Sequence, residues 1–153
     1  MQKNNLEFMK INPKTGVDKL IFGMLQKDVE ALYGKPTKSF KDEDDNTVYQ
    51  YNGQKLRLTF YKDENFKLGY IVGSSQDLLL FDKKVIGRPV SDVQKELNTK
   101  DFAKWEKEEF DTLENYFNEA NWMILQTEFN DVVKVEVGAI INDKDEFDWK
   151  FKK

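Results

Sequence analysis

The chain of 153 residues contains no cysteine and no histidine. Without cysteine it can form no disulfide, use no thiolate nucleophile and carry no lipid on a cysteine. Without histidine it lacks the commonest general base and the commonest transition-metal ligand of proteins. Catalysis would have to rest on other groups, chiefly carboxylates. We therefore predict a protein that is not an enzyme and that needs no cofactor and no metal.

Long hydrophobic runs are absent as well. No stretch approaches the ~18 consecutive apolar residues of a transmembrane helix. Residues 1–16, MQKNNLEFMKINPKTG, contain no apolar core of a secretory signal. We therefore expect a cytoplasmic protein that does not bind a membrane.

Positive charge is in deficit, because the formal net charge is −4. This balance argues against a nucleic-acid partner, since binding to the phosphate backbone depends on Lys and Arg. The charge is also uneven along the chain. Residues 1–40 carry seven lysines and four acids, whereas residues 101–119 carry seven acids and two lysines. The sequence therefore predicts an acidic surface in the second half.

The residues that are present are typical of one globular domain. The chain is 39% hydrophobic and 34% charged, and it contains 12 phenylalanines. A chain of this length buries about two thirds of its unfolded surface on folding. We therefore predict a single domain over residues 1–153 with an aromatic-rich core.

A short amphipathic helix is predicted in the first half. Leu25, Val29, Leu32 and Tyr33 recur at helical spacing and would form one apolar stripe. A glycine at position 34 is suited to the end of this helix, and the proline two residues later cannot continue it.

Strands are predicted after this helix. TVYQY and KLRLTFY flank Asn52-Gly53, a pair typical of a two-residue type I′ hairpin turn. FKLGYIVGSS reads as a third strand. The first unit is thus helix, strand, strand, strand.

The second half repeats this order at an offset of 64 residues. Matching pairs are Gly23 and Gly87, Asp28 and Asp92, Val29 and Val93, and Tyr33 and Leu97. Ser91 is a candidate N-cap for the second helix. The predicted fold is α+β, with pseudo-repeats over about 21–73 and 85–141. In each, a helix and three strands form antiparallel sheet, with the short helices packed on one side.

The first of these phrases, IFGMLQKDVEALYGKP, resembles the start of helix-plus-strand modules with the pattern F-G-M-x4-V-x4-G-x-P. The matching residues are Phe22, Gly23, Met24, Val29, Gly34 and Pro36. The second copy keeps Gly87 and Val93. Modules of this kind are found in the β-lactamase-inhibitor protein family and in small outer-membrane assembly lipoproteins. The resemblance implies a tandem sheet whose surface grips a partner protein. Those families depend on disulfides or on a lipidated cysteine, which this chain lacks.

In overall character the chain also resembles immunity proteins of contact-dependent and other polymorphic toxin systems of bacteria. That resemblance implies a cytoplasmic toxin inhibitor, a monomer or weak dimer, that binds its cognate toxin domain. It carries no diagnostic motif, so it assigns no residue.

Candidate partner-binding residues come from the acidic segment 101–119, in which aromatic residues and acids are interleaved. If strands carry this segment, alternation places acids and aromatics on an open face. Carboxylates there would attract a basic partner and aromatic side chains would anchor it. The candidates are Trp105, Glu106, Glu108, Glu109, Asp111 and Tyr116. The alternative interpretation is that the aromatics belong to the core and the acids are solvated.

Two further kinds of site find little support. KDEDDN, residues 41–46, resembles the start of a calcium loop, but Thr47 and Gly53 stand where such a loop needs glycine and glutamate. Nothing in the sequence fixes a pair of catalytic carboxylates on facing elements. The leading hypothesis is an immunity protein that neutralises a basic, nuclease-type toxin. The alternatives are a small-ligand or peptide carrier with an aromatic-lined sheet, and a carboxylate enzyme.

Overall fold

The computed structural model describes residues 8–152. Over this range the chain forms two short α-helices and thirteen strands. The helices are α1 (Gln26–Tyr33) and α2 (Val90–Leu97). The strands are β1 (Met9–Asn12), β2 (Gly16–Val17), β3 (Leu20–Ile21), β4 (Lys38–Lys41), β5 (Thr47–Tyr51), β6 (Leu56–Tyr61), β7 (Lys67–Gly73), β8 (Leu78–Leu80), β9 (Lys83–Lys84), β10 (Glu106–Phe110), β11 (Leu113–Asn118), β12 (Met123–Glu128) and β13 (Asp131–Gly138).

Two sheets organise these strands. The larger is antiparallel, in the order β10-β11-β12-β13-β7-β6-β5-β4, and the smaller has the order β3-β2-β1-β8-β9. Each helix is followed by four consecutive strands of the large sheet, and the two sets meet where β13 pairs with β7. The predicted α+β class is confirmed as a mainly β fold with two short helices.

The predicted unit of one helix and three strands is wrong in its count of strands. The missed strand in the first half is β4, whose sequence KSFK contains no buried residue. An edge strand of this kind has no alternation of buried and exposed side chains, so its sequence carries no hydrophobic signal. The sequence indicates strands at LEFMKI, DKLIFG and LLLF, which overlap β1, β3 and β8. It does not predict that they belong to a second sheet, because three strands of that sheet are only two residues long.

The core lies on one face of the large sheet. Cross-strand neighbours on this inner face include Leu58, Ile71 and Val137, each at most 2% exposed. Val29 of α1 and Val93 of α2, the matching valines of the two predicted helices, both belong to the same buried cluster. Leu32 of the predicted stripe is 41% exposed, because an eight-residue helix turns only a narrow strip of its surface to the core.

The helix ends differ in how well the sequence predicts them. Gly34 ends α1 at φ 76°, and its N–H donates to the Glu30 carbonyl. At the start of α1 the Leu25 N–H donates to Asp28 Oδ2 at 3.0 Å. The predicted N-cap Ser91 lies inside α2, which follows Pro89 instead. A proline's fixed φ suits the entry into a helix, so it replaces a polar cap here.

The predicted hairpin between β5 and β6 is present, but its predicted turn is wrong. Tyr51 pairs with Leu56, which leaves four residues in the loop. The left-handed residue is Lys55, at φ 55°, whereas Gly53 does not have a positive φ. The longer loop therefore makes no use of the conformational freedom of the Asn-Gly pair.

The N-terminal strand is described only in part, whereas the C-terminal tail is described up to residue 152. The alternation of apolar and polar residues in LEFMKI, Leu6–Ile11, predicts an opening strand. Its residues Leu6 and Glu7 lie outside the described residues, and β1 begins at Met9. The C-terminal tail is a docked segment. The backbone N–H groups of Lys150 and Phe151 both donate to the Phe22 carbonyl, and Phe151 packs against the core.

Candidate functional site

The most exposed acidic element is β10, which forms one edge of the large sheet. All five of its residues, EKEEF, are exposed. Among the described residues it pairs with β11 alone, which leaves the backbone groups of its other edge unpaired. Charged side chains on an edge strand discourage pairing with other chains of the same kind. They also leave carboxylates free to meet a partner of opposite charge.

The strand register distributes the candidate residues over two faces. Glu106 pairs with Phe117 and Glu108 with Asn115, which places both acids on the face opposite the core, here called the outer face. Glu109 lies on the inner side of the same strand. Asp111 lies in the turn after β10, at φ 50°.

On the inner side, Lys107 forms ion pairs with the neighbouring carboxylates. Its Nζ lies 2.6 Å from Glu114 Oε2 and 3.5 Å from Glu109 Oε1. The hydrogen bond to Glu114 raises the pKa of Lys107 to about 12. The ammonium also lies 5.9 Å from the centre of the Tyr116 ring. Glu109 and Tyr116 therefore both interact with the Lys107 ammonium of the same chain.

Trp105 packs within the chain. Its ring stacks on buried Phe102 at 6.2 Å between centroids, and its Nε1–H donates to the Phe102 carbonyl at 2.9 Å. It is half-buried against the core. An anchor must move from water into a partner's pocket, so this environment favours a structural role for Trp105.

A groove of about 840 Å³ lies at the end of the outer face, where Glu106 meets the turn between β11 and β12; we call it the acidic groove. Phe117 and Trp122 line it and contact each other edge to face at 5.1 Å. Ile141, from the segment after β13, is 47% exposed in the same groove. The groove thus offers aromatic and aliphatic surface to a partner.

The charged groups of the acidic groove are mostly carboxylates. Four acids and one lysine line it, giving a net charge of −3: Asp101, Glu106, Glu119, Asp145 and Lys104. Of the six predicted binding residues, Glu106 lies here and Glu108 follows on the same face. Trp122, Ile141 and Asp145 were missed, because they come from segments that only the tertiary fold brings together. No local sequence signal marks them, because the exposure of Ile141 is known only from the fold.

Two buried asparagines hold one wall of the acidic groove. Asn118 Nδ2 donates to the Lys104 carbonyl at 3.0 Å, and Asn121 Nδ2 donates to the Asp101 carbonyl at 3.1 Å. Asn121 also donates to Asn118 Oδ1. These bonds tie residues 101–104 to the β11–β12 turn. The groove is therefore shaped by satisfied buried polar groups, which resist rearrangement.

One buried acceptor on the outer face has no such partner. Asn115 Oδ1 makes no hydrogen bond to any described residue, and Asn115 lies directly opposite Glu108. An unsatisfied buried acceptor destabilises a fold by about 1–3 kcal/mol. Because this oxygen is buried, it is a local cost to the fold and not a group that a partner's donor can reach.

The acidic loop after β4 has a local structural role. Asp42 Oδ1 accepts hydrogen bonds from the Asp44 and Asn46 N–H groups, at 2.9 and 3.0 Å. The hydrogen bond from Asn46 Nδ2 to Asp42 Oδ2, together with these two backbone bonds, lowers the pKa of Asp42. Within residues 8–152 no group of three or more acids is arranged to hold a metal ion. No helix in the same range is long and apolar enough to cross a membrane.

The chain matches no known protein-family model and no curated protein sequence. It is similar to two solved structures, each at a TM-score of 0.47. One is an extracellular protein containing a SCP domain from Bacillus anthracis, with 11% identity over 74% of this chain and 42% of that one. The other is a cysteine-rich secretory protein from Staphylococcus aureus, with 12% identity over 84% of this chain and 49% of that one. This chain spans less than half of either protein, and likeness at this level establishes no common function.

Proposed function

We propose that this protein is a cytoplasmic immunity protein that binds and neutralises a basic toxin domain, without catalysis of its own. The observation that carries the proposal is the acidic groove, with a net charge of −3 around exposed apolar surface, next to the acidic edge strand β10. Carboxylates at a rim attract a basic partner and speed association. The groove surface of Phe117, Trp122 and Ile141 would supply the buried contact area.

The proposed contact uses the outer face, so it differs in composition from the six residues that the sequence singled out. Glu106 and Glu108 keep the role predicted for them. Trp105, Glu109 and Tyr116 are replaced as contacts, because partners within the chain already occupy them. Ile141 is the proposed anchor, since it is large, apolar and 47% exposed at the groove.

We also infer that residues 21–73 and 85–141 are two copies of one module. Both contain a short helix followed by four antiparallel strands, and the last strand of each pairs with the other. Tandem modules with both helices on one side would build a wide sheet and leave its opposite face for a partner. An experimental structure in which the two segments fail to superpose strand for strand would contradict the duplication.

The functional test begins with a candidate toxin captured from the source cells on immobilised protein. Capture alone is not support: the captured protein must stop growth when expressed alone, and co-expression of this chain must restore growth. In the triple variant E106K/E119K/D145K, we expect restoration to fail and association to slow strongly at low salt. The difference should shrink at high salt, because exposed charges are screened over about 10 Å at 0.1 M.

The matched control is E43K/D44K/D63K, which changes the net charge equally at exposed positions in the β4–β5 and β6–β7 connections, at the other half of the sheet. It should restore growth like the natural chain. Equal loss in both variants would show an effect of total charge rather than of the groove. Full restoration by the groove variant would refute the proposed surface.

A second candidate function is binding of an extended basic peptide. The volume of the acidic groove falls within the range of about 300–1,000 Å³ found for ligand sites. Saturable binding of a lysine-rich peptide, without any captured protein that is toxic, would favour this function over immunity.

A further inference from the structure

Within residues 8–152, the most exposed large apolar side chain is Phe129, in the turn between β12 and β13. It is 80% exposed. Glu128 pairs with Asp131, so Phe129 and Asn130 are the two central residues of this turn. Burial in the core therefore gives no reason for a phenylalanine at this position.

The backbone of the turn is unfavourable for phenylalanine. The φ angles of Phe129 and Asn130 are 50° and 72°, so both residues are in the left-handed region. Two-residue turns of this kind favour asparagine and glycine, because a bulky side chain is strained at positive φ. Stability alone would favour Asn-Gly here. Strain of this kind is often found at functional sites.

The turn is fixed by backbone hydrogen bonds to the start of α2. The Asn130 carbonyl accepts a bond of 2.8 Å from the Val90 N–H, and the Val132 N–H donates to the Arg88 carbonyl at 2.9 Å. The ring of Phe129 is therefore presented by a well-supported turn. A preorganised side chain of this kind loses little conformational freedom when a partner binds it.

A second exposed phenylalanine lies on the neighbouring hairpin. Phe110 closes the turn between β10 and β11 and is 51% exposed. It pairs with Leu113, which pairs on its other side with Glu128. These three residues form a row across the outer face, directly before Phe129. We call Phe110 and Phe129 the aromatic tip.

Negative charge accompanies the aromatic tip. Asp111, Glu128 and Asp131 are exposed next to the two rings in the sequence. None of these three acids forms a salt bridge with a described residue. Arg88 approaches this region with its backbone, but its guanidinium binds Glu96 with two hydrogen bonds. A partner that covers the tip needs an apolar pocket with cations at its rim.

We propose that Phe129 is an anchor of the toxin interface. With Phe110 it enters an apolar pocket of the basic toxin domain, and the cations around this pocket meet the three carboxylates. The inference rests on the proposed function and extends its contact to the opposite end of β11 and β12. The negative charge disfavours an anionic lipid surface as the occupant.

One partner is large enough to reach both the aromatic tip and the acidic groove. Trp122 of the groove and Phe129 are seven residues apart, which is at most about 24 Å at ~3.4 Å per residue. A standard interface buries about 800 Å² on each partner, which corresponds to about 30 Å across. The outer faces of β10, β11 and β12 connect the two ends.

The test separates stability from binding. F129N removes an exposed ring and introduces a residue that tolerates positive φ, so the melting temperature should rise. Its affinity for the captured toxin, measured by surface plasmon resonance, should fall at least about tenfold, chiefly through faster dissociation. The matched control N130G relieves the same turn but keeps the ring. It should also raise the melting temperature, and it should bind the toxin like the natural chain.

The possible failures are distinguishable. If F129N binds the toxin as tightly as the natural chain, this inference is overturned and the proposed function stands. An equal loss of affinity in N130G also overturns it, because the turn rather than the ring would then matter. Absence of any toxic partner refutes the proposed function and this inference together. Sedimentation with phosphatidylcholine and phosphatidylglycerol vesicles, and size-exclusion chromatography of the chain alone, test other occupants. Vesicle binding or self-association that F129N abolishes would overturn the assignment to a toxin.

Discussion

Tyr70 donates a hydrogen bond of 2.6 Å to Glu136 Oε1 across the boundary between β7 and β13. These are the strands through which the two four-strand sets of the large sheet meet. Burial, together with the nearby carboxylate, raises the pKa of Tyr70 well above its ordinary value. The neutral phenol and the charged carboxylate therefore form a matched pair at the centre of the sheet.

Removing the phenol oxygen should weaken this boundary. Hydrogen bonds to charged groups contribute about 1.5–3 kcal/mol, and we expect Y70F to lower the free energy of unfolding by about that amount. E136Q keeps an acceptor but removes the charge, so its loss should be about half as large. Urea unfolding of both variants measures these differences. A change below about 0.5 kcal/mol in Y70F would show that the bond contributes nothing.

Gly138 should tolerate no larger residue, because Trp122 lies directly over it. A Cβ atom at Gly138 would stand 2.1 Å from Trp122 Cδ1. We expect G138A to destabilise the protein by about 1–3 kcal/mol through overpacking. The shift of Trp122 should also change the tryptophan fluorescence of the folded state.

The control for this substitution is G53A. A Cβ atom at Gly53 would have no described neighbour within 4 Å, and the residue has no positive φ. Its replacement should therefore change stability by less than about 0.5 kcal/mol. A large loss of stability in G53A would instead support the two-residue turn at Asn52-Gly53 that the sequence predicts.

Asn121 should control the shape of the acidic groove. N121A removes the donor to the Asp101 carbonyl and to Asn118 Oδ1, leaving both acceptors without this bond. We expect a loss of about 1–3 kcal/mol in unfolding free energy and faster amide hydrogen exchange in residues 101–104. Unchanged amide exchange in residues 101–104 would mean that other contacts hold this segment, which leads into β10. A surface substitution such as N52A serves as control, because Asn52 is exposed.

Alkaline pH should unfold the protein together with ionisation of its tyrosines. Five of the six tyrosines have pKa values raised by burial. Burial raises those of Tyr51 and Tyr61 from 10.0 to about 12. A raised folded pKa stabilises the fold below the unfolded value and loses this contribution as pH rises. The contribution of these tyrosines should thus be constant below about pH 10 and fall between about pH 10 and 12.

Ultraviolet absorbance of tyrosinate and circular dichroism, recorded on the same samples, test this coupling. Protein in urea should titrate near pH 10 as one class of tyrosine, about the ordinary pKa of the phenol. Folded protein should titrate later and lose its circular dichroism in the same interval. Ionisation of all six tyrosines near this ordinary pKa with the fold intact would contradict the burial described here.

The sequence was sufficient to predict the elements with strong local patterns. Strands such as β6, with Leu56, Leu58 and Phe60 alternating with polar residues, were predictable because alternation follows from burial of one face. The end of α1 at Gly34 was predictable because only glycine adopts its φ without strain. The edge strand β4 was not, because none of its side chains is buried.

The candidate site shows the same division between sequence and tertiary structure. The acidic character of residues 101–119 follows from composition alone, and it was sufficient to predict Glu106 and Glu108 as candidate binding residues. Which face each residue occupies depends on strand register, and a shift of one residue exchanges the two faces. The sequence by itself therefore determined the α+β class, the absence of thiol and imidazole chemistry, and the place of the acids along the chain. Only the tertiary structure decided that Trp105 packs inward and that Glu106 lines the same groove as Trp122 and Ile141, because these arrangements bring together segments far apart in the sequence.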